Sequence, residues 1–177
     1  MSPLNQIVEC VPNFSEGRDK EKIEKIVAPL KGREGVRLVN YEGDADYNRL
    51  VVTVLGAPQA VKEAVLDAIG AATELIDLNH HTGEHLRMGA TDVVPFIPIR
   101  NMTTEDAVAL SKETAEEINK RFGIPVFLYE DSATSPERVN LARIRKGQFE
   151  GMPEKLLLPE CGRGSRARGS SRNLHRG

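Results

Sequence analysis

The sequence predicts an α/β fold of the ferredoxin-like type: a split βαβ sandwich with a mixed sheet and helices on one face. Short apolar runs typical of strands alternate with longer segments that carry apolar residues at helical spacing. Their order is strand, helix, strand, strand, helix, strand, which is the order of that unit. A chain of 177 residues with 40% hydrophobic content is sufficient for one domain with its own core.

The first half of the chain supplies one strand, one helix and a strand pair. Residues 7–11 form a short apolar run that ends at a proline, which predicts a strand. Residues 19–31 place apolar side chains at helical spacing, which predicts an amphipathic helix. Residues 36–41 and 50–55 predict two further strands, and the second is so continuously apolar that we expect burial on both faces. The charged, turn-rich residues 42–49 join these two strands.

The second half begins with a helix that Pro58 opens and whose apolar positions continue to Ala72. Residues 75–78 predict a short strand behind this helix. Residues 93–99 are strand-like, but they contain two prolines, which cannot donate ladder hydrogen bonds. We therefore expect an edge strand or a bulged strand there.

The last long helix has sequence signals at both ends. Thr103-x-x-Asp106 resembles an N-terminal capping signal, and Gly123 is expected to end the helix. Residues 125–129 predict a final strand, and residues 136–146 predict a short basic helix.

Composition divides the chain into a domain over residues 1–160 and a tail over residues 161–177 that is rich in arginine, glycine and serine. The tail holds five of the 24 basic residues and no acid, which leaves 19 basic against 26 acidic residues in the domain. An acidic body argues against binding of a phosphate backbone, so nucleic acid is not an expected partner. The tail has too few apolar residues to offset the entropy of ordering, and we expect it to be disordered.

Cysteine usage and the lack of apolar spans indicate a cellular location. Cys10 and Cys161 do not make a disulfide framework, which favours a reducing compartment. The sequence begins without a signal-peptide pattern, and no apolar run reaches the roughly 18 residues of a membrane span. We expect a cytoplasmic protein that does not bind membranes. The abrupt change of composition near Pro159 suggests that a longer protein was interrupted there.

The residues best suited to chemistry lie in the segment 80–96, which contains three of the four histidines. Imidazole exchanges protons near neutral pH, and glycines allow the backbone to approach a ligand closely. His80 is expected to be solvated. His85 is the candidate functional histidine because charged groups lie beside it in sequence: Glu84, Arg87 and Asp92.

A different interpretation of this segment is a zinc site. Residues 81–85 match the H-x-x-E-H pattern of one class of zinc peptidases. That site requires a helix that brings both imidazoles to one metal, and Gly83 costs roughly 1 kcal/mol in a helix interior. We therefore expect no metal here, and metal analysis would test this alternative.

Two further segments have both a structural and a functional interpretation. Asp44-x-Asp46 followed by Asn48 and Arg49 is typical of a turn, and it also suits a guanidinium that binds a carboxylate. Residues 11–17 suit a strand-to-helix connection in which Ser15 or Asp19 caps the helix. No phosphate-cradling glycine pattern is present, so nucleotide binding is not supported.

Taken together, these motifs resemble a known family. The sequence contains the run Glu-Cys-Val-Pro-Asn-Phe-Ser-Glu-Gly at residues 9–17 and Asp-x-Asn-Arg at residues 46–49. It also contains Gly-Glu-His-x-Arg-Met-Gly-Ala at residues 83–90 and Asp-x-x-Pro-Phe-Ile-Pro at residues 92–98. These motifs, in this order, resemble the N-terminal subdomain of glutamate formimidoyltransferase, as in formimidoyltransferase-cyclodeaminase. The resemblance covers roughly residues 4–160 and does not extend to the tail.

The resemblance implies transfer of a formimidoyl group between N-formimidoyl-L-glutamate and tetrahydrofolate, late in histidine breakdown. Folate would be a co-substrate, and no metal is implied. His85 matches the histidine of the family motif and is implied as the acid–base, a role that its ordinary pKa of about 6.5 suits. Arg87 and Arg49 are candidates for holding glutamate or folate carboxylates.

The other candidate binding residues are Asn48, Asp44, Asp46, Glu84 and Gly89. The acids at Glu42, Asp44 or Asp46 are alternatives for stabilising an amidinium cation and orienting His85.

The chain departs from the family pattern in two ways. Leu86 stands where the family usually has proline, which frees the backbone beside His85. The family's catalytic unit also has a second subdomain that completes the folate groove, and the arginine-rich tail stands in its place here. The main alternative is therefore a non-catalytic remnant that binds folate or a partner subunit. The family resemblance also implies a homodimer.

Overall fold

The computed structural model describes residues 5–77 and 89–126. Within these ranges the chain forms six strands and three α-helices. In chain order they are β1 (Ile7–Cys10), β2 (Asn13–Phe14), α1 (Lys20–Val27), β3 (Val36–Asp44), β4 (Arg49–Gly56), α2 (Pro58–Leu75), β5 (Thr91–Val93), β6 (Phe96–Arg100) and α3 (Thr104–Phe122). A turn of 3₁₀ helix, Ala28–Leu30, extends α1.

The strands form one sheet whose order is that of the predicted ferredoxin-like unit. β4 pairs with β3 on one side and with β1 and β2 on the other, and β6 and β5 pair in turn with β1 and β2. The α/β fold class is therefore confirmed. One detail of the expectation is wrong: every strand pair in the described ranges is antiparallel, so the sheet is not mixed. The two helical crossovers run from β1 through α1 to β3 and from β4 through α2 to β5. Each joins two strands that are separated in the sheet by one antiparallel strand.

Two extended segments of this sheet are each divided by a proline into two short strands. β1 and β2 lie along the same line and are separated at Pro12, whose carbonyl accepts a hydrogen bond from the Val52 N–H at 3.1 Å. β5 and β6 are separated at Pro95, whose carbonyl accepts from the Val11 N–H at 3.2 Å. A proline lacks the donor but keeps the acceptor, so the chain resumes pairing on the far side of each interruption. The sequence alone predicted an end at Pro12 and one strand over residues 93–99.

β6 lies at the edge of the sheet, as the two prolines of residues 93–99 predicted. Pro98 is opposite Val8, and the pairing register shifts between Ile7 and Val8. Pro98 has no backbone N–H group to donate, and an edge strand tolerates this because it has a neighbouring strand on one side only.

The helix ends follow the predicted signals. Asp19 caps α1 by accepting hydrogen bonds from the backbone N–H groups of Glu21 and Lys22. Thr103 and Asp106 form a reciprocal capping box at the start of α3. Gly123 ends α3 with a φ of 66°, a left-handed conformation that glycine adopts without strain.

The core lies between the sheet and the helices. Alternate residues of β1 and β4 are buried toward the helices, and their neighbours on the opposite face are half-buried. The expectation that β4 is buried on both faces is therefore wrong within the described ranges. α2 contacts both α1 and α3. The largest fully buried side chains include Phe14, Ile26, Leu30, Leu50, Leu66 and Ile69.

The predicted strand over residues 75–78 is wrong in its described part. Leu75 is the last residue of α2, and residues 76–77 have no regular structure, because the alanine-rich turn before them continues the helix. Residues 125–126 also lack regular structure, and 127–129 lie outside the described ranges. The predicted helix at 136–146 and the tail at 161–177 lie outside them too, and both stay predictions. None of the described helices is long and apolar enough to cross a membrane.

Candidate functional site

Three of the motifs meet at one end of the sheet. β2 lies between β4 and β5: Phe14 is opposite Leu50 on one side and Thr91 on the other. Neighbouring strands are about 4.8 Å apart, so the starts of β4 and β5 are separated by roughly 10 Å. The loop after β2, the β3–β4 turn and the residues before β5 therefore lie next to one another.

Ser15 joins the loop after β2 to the segment before β5. Its hydroxyl donates a hydrogen bond to the Gly89 carbonyl at 2.8 Å, and its backbone N–H donates to the Ala90 carbonyl at 2.9 Å. Ser15 is fully buried, at 0% exposure. Of the two caps considered for α1, the structure selects Asp19 and gives Ser15 this different role.

Gly17 and Asn48 join the same loop to the β3–β4 turn. The Gly17 N–H donates to Asn48 Oδ1 at 2.8 Å, and Asn48 is buried, with only 7% of its surface exposed. Asn48 has a φ of 53°, a left-handed conformation that asparagine tolerates better than most residues. A Cβ atom at Gly17 would clash with the Asp44 carbonyl and would approach the Arg49 backbone nitrogen to 2.6 Å. Only glycine fits there.

The β3–β4 turn is held by one of the predicted acids. Asp44 Oδ1 accepts hydrogen bonds from the backbone N–H groups of Asp46 and Tyr47, at 2.9 and 3.1 Å. This is the turn chemistry expected of aspartate. Arg18 Nε donates to the Ala45 carbonyl at 2.8 Å and adds a second link between the loop and the turn. Asp46 is exposed.

Arg49 begins β4, opposite Asp44. It is partly buried, and its guanidinium carbon lies 5.3 Å from the centroid of the Tyr47 ring. This is within the range of a cation–π contact. Its Nε atom is buried and has no hydrogen-bond partner among the described residues. A positioned guanidinium with a donor to spare is suited to an anionic ligand.

Glu16 completes the loop and was not singled out from the sequence. Its Oε1 atom accepts hydrogen bonds from the backbone N–H groups of Arg18 and Asp19, at 2.9 and 3.0 Å. These bonds shape the approach to α1. No periodicity or charge pattern in the sequence predicts the hydrogen bonds of Glu16 and Ser15. Only the position of these residues in the motif at residues 9–17 could have indicated them.

The predicted site residues divide into two groups. Asp44, Asp46, Asn48 and Arg49 lie in the turn or at its ends, and Gly89 is tied to it through Ser15. Glu84, His85 and Arg87 lie outside the described ranges, as does the histidine pair of the zinc alternative. Cys10 is no candidate nucleophile, because burial raises the pKa of its thiol far above the ordinary range.

Comparison with known proteins identifies the family. The profile of the formiminotransferase domain, N-terminal subdomain, matches residues 7–168. The chain belongs to this family. The family resemblance that the sequence motifs suggested is therefore confirmed.

Curated relatives carry the same subdomain in longer chains. A glutamate formimidoyltransferase of Streptococcus pyogenes serotype M1 is 57% identical over 154 residues, which cover 87% of this chain and 52% of that protein. A glutamate formimidoyltransferase of Thermoplasma acidophilum is 39% identical over 162 residues, 88% of this chain and 54% of that protein. A formimidoyltransferase-cyclodeaminase of Dictyostelium discoideum is 44% identical over 153 residues, 86% of this chain and 28% of that protein. The chain thus spans about half the length of the transferases.

Proposed function

We propose that the chain forms the N-terminal half of a glutamate formimidoyltransferase site. The reaction moves a formimidoyl group between N-formimidoyl-L-glutamate and tetrahydrofolate, in folate one-carbon metabolism and histidine breakdown. One observation supports this most strongly: the buried loop at residues 15–17 bonds both to the turn that carries Arg49 and to Gly89 of the histidine motif. A relative named glutamate formimidoyltransferase is 57% identical.

His85 is the proposed acid–base. An amine nitrogen of the folate attacks the amidine carbon of the donor, and a tetrahedral adduct forms. The carbon–nitrogen bond to the glutamate then breaks. His85 accepts the proton of the entering nitrogen and returns it to the departing one, so no proton is gained or lost. A group with a pKa near neutrality performs both transfers at the operating pH.

Arg49 is the proposed anchor for a carboxylate of the glutamate or the folate. Its stacking on Tyr47 limits the motion of the guanidinium, and its buried Nε has no hydrogen-bond partner among the described residues. Two parallel hydrogen bonds from a guanidinium to a carboxylate fix orientation as well as adding affinity. Arg87 is the proposed second anchor.

The acids of the turn have different proposed roles. The Asp44 carboxylate accepts two backbone hydrogen bonds and shapes the turn. Asp46 is exposed in that turn and, with Glu42, is a candidate for stabilising the amidinium cation. Asn48 and Glu84 complete the proposed binding set.

We further propose that catalysis requires a second half, because the curated transferases are about twice as long as the matched region. The sheet face opposite the helices provides surface for it: Leu55 and Val51 of β4 are half-buried, and Ile97 of β6 is exposed. A homodimer and a cytoplasmic location belong to the same proposal.

The competing proposal is a non-catalytic remnant that binds folate or a partner subunit. The two proposals differ in whether turnover accompanies binding.

The test compares two proteins. One is the 177-residue chain. The other, called here the completed chain, consists of residues 1–160 followed by the second half of the Streptococcus pyogenes relative. Formimidoyl transfer to tetrahydrofolate is followed by chromatography, and folate binding by calorimetry. We expect turnover by the completed chain. Folate binding by both proteins with turnover by neither would favour the remnant.

A further inference from the structure

We propose that Ser15 is a positioning residue for the transferase reaction, acting through its hydroxyl bond to Gly89. This proposal rests on the proposed function. Ser15 touches no reacting atom in it; its role is to fix the end of the histidine motif relative to Arg49.

The bonds of the loop at residues 15–17 explain why it can act as a common anchor. At one end, Ser15 donates from its hydroxyl to the Gly89 carbonyl at 2.8 Å and from its backbone N–H to the Ala90 carbonyl at 2.9 Å. At the other end, Gly17 donates to Asn48 Oδ1 at 2.8 Å. The two motif segments are thus bonded to sites only two residues apart in the chain.

The loop at residues 15–17 is buried, so its hydrogen bonds are not readily replaced by bonds to water. Ser15 and Ala90 are both 0% exposed, so water does not replace a lost partner without rearrangement. Gly17 also packs against the backbone of Arg49 too closely for any other residue. A shift of the loop at either end is therefore transmitted to the other by backbone contact.

The link to catalysis follows from chain length. His85 is four residues before Gly89, and four residues span at most about 14 Å. The hydroxyl of Ser15 therefore fixes one end of a short segment that carries the proposed acid–base. A misplacement of about 1 Å at a reacting group can lower a rate by roughly a hundredfold.

The test uses Ser15→Ala in the completed chain, with Thr114→Val as a matched control. The Thr114 hydroxyl is also buried and also donates to a carbonyl, that of Leu110 at 2.7 Å, but within α3 and away from the site. We expect Ser15→Ala to lower kcat by about 10- to 100-fold while KM changes by less than about threefold. Thr114→Val is expected to leave both constants near those of the parent protein.

Hydrogen–deuterium exchange gives a second readout that does not depend on turnover. In Ser15→Ala, backbone exchange over residues 89–93 is expected to accelerate by about tenfold, with β3 and β4 unchanged. The same exchange measurement in the Thr114→Val control is expected to match the parent protein in both regions. If Ser15→Ala does not fold, Ser15→Cys, which keeps a weak donor of similar size, is expected to change kcat and exchange in the same direction.

The outcomes separate this proposal from the proposed function. A parent protein with turnover and a Ser15 variant whose kcat equals that of Thr114→Val would overturn the positioning role alone. A completed chain without any turnover would overturn the proposed function and the kinetic role of Ser15. Exchange over residues 89–93 would then still decide whether the Ser15 hydroxyl fixes this part of the chain, because unchanged protection in the variant contradicts that claim.

Discussion

Asn48 has a backbone conformation and a side-chain bond that together define the β3–β4 turn. Its positive φ is costly for most residues, and its side chain satisfies the buried Gly17 N–H. From the sequence, Asn48 could be assigned to a turn beside a candidate arginine, because Asp-x-Asn-Arg is typical of turns. Its bond to Gly17 was not predictable, because the two residues are 31 positions apart.

Asn48→Ala is expected to lower the free energy of unfolding by about 2–4 kcal/mol. The estimate combines the strain of the left-handed backbone with the cost of an unsatisfied buried N–H group. Asn101→Ala is the matched control, since Asn101 also has a φ of 53° but is exposed, and we expect a loss of about 1 kcal/mol there. Urea denaturation measures both. Equal losses in the two variants would mean that the Gly17 bond adds no stability.

Arg49→Met is expected to raise the KM for formimidoylglutamate or for folate by about 10- to 100-fold in the completed chain, with a smaller effect on kcat. Methionine keeps much of the apolar stem and removes the anion-binding head. Arg121→Met, near the C-terminal end of α3 on the helix side of the sheet, is the control and is expected to leave both constants unchanged. An Arg49 variant with unaltered KM for both substrates would remove Arg49 from the binding set.

At the scale of elements, the long helices were predictable and the short strands were not. α2 and α3 have 18 and 19 residues, which give several turns of apolar periodicity and distinct cap signals. β2 and β5 have two and three residues, too few for any alternation to be visible. β2 pairs with β4 and β5, and these partners are distant from it in sequence. The site lies beside these two short strands, and for that reason its assembly could not be predicted.

The α2–α3 contact contains a buried lysine whose partner makes stability depend on pH. Lys62 is 8% exposed in its side chain, and its Nζ lies 2.6 Å from Oε1 of Glu113. Hydrogen bonding to Lys62 lowers the pKa of the Glu113 carboxyl below its ordinary value. Because this pKa is lower in the folded protein than in the unfolded chain, the ion pair stabilises the fold at pH values above the unfolded pKa of about 4.3. The stabilisation is lost as the pH falls through the folded pKa.

Glu113→Gln is therefore expected to lower the free energy of unfolding at pH 7 by about 1 kcal/mol, a modest value because the carboxylate is half-exposed and screened. The difference from the parent protein should shrink as the pH falls below the unfolded value of about 4.3 and should disappear once the pH is below the lowered pKa of Glu113. Glu116→Gln, an exposed position on the same helix, is the control. Thermal unfolding at a series of pH values measures the effect. A difference that persists unchanged at low pH would contradict the assigned role of the ion pair.

At the scale of the whole molecule, the fold agrees with the sequence because local and long-range preferences coincide. The strand and helix order specifies the ferredoxin-like topology, and the edge position of β6 agrees with Pro95 and Pro98. The family assignment followed from several motifs in the family's order and is confirmed by the match over residues 7–168. What the sequence could not supply is the way the loop at residues 15–17 connects those motifs. The chain also spans about half the length of the curated transferases that it matches.

The most direct measurement of the central claim is kcat for formimidoyl transfer by the completed chain with and without His85. A positioned acid–base contributes a factor of about 10² to 10⁴ to the rate of a reaction. His85→Ala is therefore expected to lower kcat by that factor while folate binding is retained. His80→Ala, in the same segment, is the control and is expected to keep the parent rate. A His85→Ala protein that turns over within about threefold of the parent rate would contradict the account, because no proton transfer through His85 could then limit the reaction.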